Sequence, residues 1–97
     1  MPSDWPFDQA PNVAAVTTRQ VIEQNLPILC VTHYSDDHSW GFVCGTTDAR
    51  DDGRVIAMNE ALEIDPTLRE IADLPPGWTA QREKVGAEWR RVYDEKA

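Results

Sequence analysis

Lysine is absent until Lys84, histidine and cysteine occur twice each, and no apolar run approaches the roughly 20 residues that cross a bilayer as a helix. Each scarcity removes a class of function. With four arginines and no lysine in residues 1–78, the chain lacks the cationic density that phosphate neutralisation requires, which argues against nonspecific nucleic-acid or anionic-membrane binding. Two cysteines, Cys30 and Cys44, are too few for a disulfide scaffold and read as reduced thiols in a core. There is no C-x-x-C knuckle, Gly-rich phosphate loop, nucleophile elbow or H-E-x-x-H. Internal repeats and low-complexity stretches are also missing. The start Met1-Pro2-Ser3-Asp4 has neither the basic nor the apolar part of a secretory signal, so a bacterial cytoplasmic protein is expected.

What is present suits one modest core. The 97 residues are 41% hydrophobic and 27% charged, ordinary values for a single globular domain. Trp5, Trp40, Trp78 and Trp89 can each bury on the order of 200 Å² and so hold much of that core together. The net charge of −8 is uneven: residues 1–78 carry −9 and residues 79–97 carry +1. An acidic body is compatible with a basic protein partner, and equally serves solubility.

Punctuation along the chain predicts α+β: a mostly antiparallel sheet of four to five strands covered by two short helices. Residues 1–16, with Pro2, Pro6 and Pro11, read as an extended arm ahead of a single domain, 17–97. Thr17-Thr18-Arg19-Gln20 has the form of a capping box with Thr17 as cap, opening a helix that Pro27 ends near Asn25. Residues 28–34 and 40–45 read as a hairpin around the polar loop 35–39. Centred on Asp37, that hairpin pairs Cys30 with Cys44, Thr32 with Phe42 and Tyr34 with Trp40, and both its faces are apolar, which places it in the middle of a covered sheet. Residues 54–58 form a third strand. Asn59 caps a helical piece, 60–64, leading into the helix that Asp65 caps and Pro66 begins. Pro76-Gly77 supplies a type II turn before the alternating strand 78–83. Residues 88–93 read as a last strand, with the helical spacing of Val85, Trp89, Val92 and Tyr93 as the alternative.

Chemistry-bearing residues are few. Cys30, His33, His38 and Cys44 match tetrahedral zinc in number but not in spacing, because Cys30 and His33 on one strand point to opposite faces. A thiol- or metal-dependent enzyme using Cys30, Cys44, His33 and His38 is the alternative to a binding module. It needs a base beside a thiol of depressed pKa, and the expected hairpin turns His33 away from both sulfurs. Arg82, Arg90 and Arg91 near Trp78 and Trp89 suggest a guanidinium–aromatic surface, or arginines paired with Glu83 and Glu88.

Trp40-Gly41-Phe42-Val43-Cys44-Gly45, taken with Asp65-Pro66-Thr67-Leu68, Asp73-Leu74-Pro75-Pro76-Gly77-Trp78-Thr79-Ala80-Gln81-Arg82, Gly86 and Trp89-Arg90-Arg91, resembles a family of small uncharacterised bacterial proteins. That family is similar to the immunity-protein-like domains of polymorphic toxin systems. The resemblance covers about residues 16–91 and implies an α+β domain that binds another protein, with no catalytic residues to transfer. The expectation is therefore a noncatalytic module, possessing no catalytic, metal or cofactor site, that meets a basic partner through Asp36, Asp37, Asp48, Asp51 and Asp52. The oligomeric state stays open.

Overall fold

Short runs of β-branched and aromatic residues between turn residues build strands, and the structure, a computed structural model describing residues 5–45 and 52–97, has six of them among the described residues. In chain order the elements are β1 (Ala14–Thr18), α1 (Arg19–Glu23), β2 (Cys30–His33), β3 (Trp40–Val43), β4 (Gly53–Ala57), α2 (Met58–Ile64), a 3₁₀ helix (Pro66–Ile71), β5 (Trp78–Gln81) and β6 (Arg90–Tyr93). They form one mixed sheet of order β4-β1-β3-β2-β5-β6. β1 and β3 are parallel and the other four pairings are antiparallel. The architecture is α+β, with six strands where four to five were expected and three short helices where two were expected.

The additional strand is β1, and residues 14–16, assigned from sequence to the extended arm, open it. The capping box over 17–20 does not form. Thr17 is a fully buried strand residue, Thr18 precedes the helix without a side-chain cap, and the Gln20 amide donates to Asp52 instead. The additional helix arises because residues 58–71 are interrupted. Asp65 is extended (φ −145°, ψ 96°), as a residue before proline prefers, so α2 and the 3₁₀ helix stay separate. Its carboxylate accepts from the Thr67 N–H at 3.0 Å, the cap that Asp65-Pro66 predicts. Gly77 (φ +87°) sits at the third position of the turn closed by the Trp78 N–H on the Pro75 carbonyl.

The hairpin register departs from expectation by one residue. His33 faces Trp40 and Cys30 faces Val43, while the Tyr34 N–H donates to the Ser39 carbonyl, leaving a four-residue loop, 35–38. His38 adopts φ +59°, which closes this even-numbered loop without a glycine. A slip of one moves every side chain to the other face. Val31, His33, Trp40 and Phe42 therefore lie on the side of the helices, and Cys30, Thr32, Tyr34, Gly41 and Val43 lie on the opposite side. The hairpin is central in the sheet, as its apolar character predicts, but only one of its faces is covered.

The core fills the covered side. Val31, Trp40, Phe42, Met58, Leu68, Ile71 and Ala80 are wholly buried, each large side chain contributing about 1.5–3 kcal/mol. Of the four tryptophans only Trp40 is wholly buried, whereas Trp5, Trp78 and Trp89 pack against the core in part. Phe7, from the segment before β1, meets Trp40 and Phe42 edge-on at centroid distances of 5.0 and 6.0 Å.

Arg82 ties the helical side together. Its guanidinium donates to the Ile28 carbonyl, to Thr67 Oγ1 and to Asp65, and its Cζ stands 4.2 Å from the centre of the Trp89 ring. The guanidinium–aromatic pairing suggested by the sequence is thus present, but it is a buried tie whose acidic partner is Asp65. Arg91 joins the same side by pairing with Asp73 at 2.9 Å.

Candidate protein interface

The antiparallel order of β2, β3, β5 and β6 brings the end of β2, the start of β3, the start of β5 and the end of β6 to one end of the sheet. The hairpin tip carries Asp36 and Asp37 there. The chain after β6 arrives beside it, because the Asp94 N–H donates to the Gly77 carbonyl and Ser35 Oγ donates to the Ala97 carbonyl at 2.7 Å. Asp94 and Glu95 thereby join Asp36 and Asp37, and among the described residues none of these four carboxylates is in an ion pair. Sequence reasoning missed Asp94 and Glu95. The signal was the 78–83 and 88–93 strand pair, which carries residue 94 to the same level as Gly77.

Backbone amides shape the tip. Asp36 accepts from the Asp37 N–H at 2.9 Å and Asp37 accepts from the Ser39 N–H at 3.0 Å, turns that aspartate side chains stabilise. The hydrogen bonds from Ser39 hold the Asp37 carboxyl below its usual range, so the exposed charge is kept. Tyr34, at the base of the tip, is pushed the other way: burial first, then the negative charges of Cys30, Asp36 and Asp37, raise its phenol above the ordinary value.

The remaining predicted acids divide. Asp52 is turned inward and serves the fold, pairing with Arg19 at 3.2 Å and accepting from the Gln20 amide at 3.0 Å. Asp48 and Asp51 lie outside the described residues. A further acid at this end is Asp8, whose Oδ1 accepts from Trp40 Nε1 at 2.9 Å and whose Oδ2 lies 3.2 Å from His33 Nε2, out of hydrogen-bond alignment. His33 itself stacks on Trp40 at 4.0 Å, with Nδ1 2.6 Å from the Leu74 carbonyl.

Cys30 and Cys44 do not face each other. The one-residue register difference places Cys30 on the open side and Cys44 on the helical side, which Cys44 shares with His33. Burial raises the Cys30 thiol above its normal range, opposed in part by a hydrogen bond with Gln81, and a raised thiol is a poorer nucleophile at neutral pH. Cys44 Sγ lies 3.7 Å from Thr18 Oγ1. Both cysteines border a cavity of about 290 Å³ beside Arg90, at the end of the sheet away from the acidic tip. His33 is about 10 Å further along β2 at ordinary strand rise, and His38 lies beyond it in the loop. Among the described residues no group of three or more histidine, cysteine, aspartate or glutamate side chains is placed to hold a metal ion.

Among the described residues no helix is long and apolar enough to cross a membrane. No family model, curated protein or solved structure matches the chain.

Proposed function

We propose that this chain is a noncatalytic protein-binding module of the bacterial cytoplasm, of the kind an immunity-type inhibitor represents, and that its partner presents a basic surface. The observation that carries the reading is the acidic end of the sheet. Asp36 and Asp37 meet Asp94 and Glu95 there from distant parts of the chain, while Arg19, Arg54, Arg82 and Arg91 are each engaged by a carboxylate elsewhere. Among the described residues these four carboxylates stand outside any ion pair, with Lys96 the cation on their segment, and they are the groups with electrostatic interaction to offer. Such a patch steers a basic partner and raises its association rate more than its final affinity. The resemblance to immunity-protein-like domains points to the same class of activity.

The test is a variant with Asp36→Asn, Asp37→Asn, Asp94→Asn and Glu95→Gln, titrated with an oligolysine peptide at low and moderate salt. Asparagine preserves the turn-forming carbonyl, so the circular dichroism spectrum should stay that of the parent. The parent should bind with affinity that falls as salt rises, and the variant should bind at least about tenfold more weakly at low salt. Equal binding by the two proteins would overturn the reading.

A further inference from the structure

The strand register assembles the uncovered face of the sheet into continuous rows. One row crosses all six strands: Val55, Val16, Gly41, Thr32, Thr79 and Val92 are successive register partners. It contains no charged side chain, in a chain that is 27% charged. Its valines are left in water at the two ends, Val55 73% and Val16 43% exposed at one and Val92 55% at the other, while the Tyr34 ring stands over Gly41 between them. Absence of charge along the row, with exposed apolar groups at both ends, is compatible with the composition of an interface core. In the column of β6 the row is flanked on one side by Arg90 and on the other by Asp94, so the acidic end borders it directly.

We infer that this face is a docking platform for an amphipathic helix of the basic partner, laid along the row, with its apolar stripe on the valines and its basic flank over the acidic end. The inference rests on the reading above and adds to it the form of the contact. Five strand spacings of about 4.8 Å make the row about 24 Å long, the length of roughly 16 helical residues. Two residues along the strands separate this row from the Asp94 level, about 7 Å, within reach of a lysine on the flank of such a helix. Charge complementarity selects this occupant over a second copy of the chain, which would bring −8 against −8.

An 18-residue helical peptide of leucine and lysine with its leucines on one face is the probe, compared with a scrambled peptide of the same composition and with oligolysine. Amide shifts on titration should concentrate at Val16, Thr32, Thr79, Val55 and Val92, and the striped peptide should bind about tenfold or more tighter than the scrambled one, as burial of one or two valines implies. Val55→Asp with Val92→Asp should remove that advantage. Val55→Thr with Val92→Thr, which keeps strand preference and shape, should reduce it by a smaller factor and guards against misfolding of the aspartate pair. Oligolysine binding that survives while the striped peptide gains nothing would overturn this inference and leave the acidic-end reading standing. Shifts confined to the helical side, or a dimer in sedimentation that buries the valine row before peptide is added, would also overturn it. Failure of every peptide to bind would overturn both.

Discussion

The two faces of the sheet are made from the same strands and obey opposite rules. On the helical side, β2 contributes Val31 and His33, both buried, and the one guanidinium buried there among the described residues, Arg82, is matched by Asp65, Thr67 and a carbonyl. On the open side the same strand contributes Thr32 and Tyr34, and β1, β4 and β6 add valines in water, with no charged side chain in their row. The buried guanidinium of the covered face is thus matched by partners within the fold, whereas the polar side chains of the open row are the uncharged hydroxyls of Thr32 and Thr79. The contrast teaches that side chains of the covered face are retained by the fold, whereas the exposed valine row does little for stability and calls for another explanation.

The largest effect that would sharpen this contrast is at Arg82. Arg82→Ala leaves the Ile28 carbonyl and Oδ2 of Asp65 without the guanidinium, although Oδ1 keeps its Thr67 donors, and breaking a buried pair from one side costs about 3–5 kcal/mol. Urea unfolding should show a midpoint shift of that size, whereas Val55→Ala on the open face should stay within about 0.5 kcal/mol of the parent. Similar losses at the two positions would erase the distinction between the faces.

A smaller effect is expected where the open face is tightest. A Cβ at Gly41 would lie 3.2 Å from Tyr34 Oη and 3.3 Å from its ring, closer than ordinary packing allows. Gly41→Ala obliges the Tyr34 ring to give by a few tenths of an ångström and should change stability by about 1 kcal/mol or less, and combining it with Tyr34→Ala should remove that coupling. An additive double variant would mean that the ring is not what keeps this position free of a side chain.

The legibility of the sequence follows the same division between local and distant. Asp65-Pro66 and Pro76-Gly77 specify their own backbone geometry, so the 3₁₀ helix start and the turn into β5 were readable from the chain alone. Strands β2 to β6 showed in their composition. β1 did not, because Thr17 and Gln20 mimic a helix cap and only the tertiary partners, β3, β4 and Asp52, decide otherwise. The hairpin register depended on His38 entering left-handed space, a conformation the residue type does not announce, and with it went the side occupied by each cysteine. For the candidate interface, the acidity of Asp36 and Asp37 was visible, whereas their meeting with Asp94 and Glu95 is a property of the β2-β5-β6 pairing, and the inward turn of Asp52 is a property of its contact with Arg19.

The smallest effect tests whether the acidic end and the open face act on each other. Tyr34 belongs to both: its ring covers Gly41 on the open face, and Asp36 and Asp37 stand close enough to oppose its ionisation. Its pKa is raised in the folded protein, so the stability it contributes is fully present below the unfolded value of 10.0 and is lost as pH rises through the folded value. In a Tyr93→Phe background, which leaves Tyr34 as the single tyrosine, absorbance at the phenolate band should titrate above 10.0. Adding Asp36→Asn and Asp37→Asn should move the midpoint down without returning it to 10.0, because burial is the larger cause and the aspartates the lesser. A midpoint unmoved by the two substitutions would separate the tip from the sheet face electrically, and a partner would then meet them as two independent surfaces.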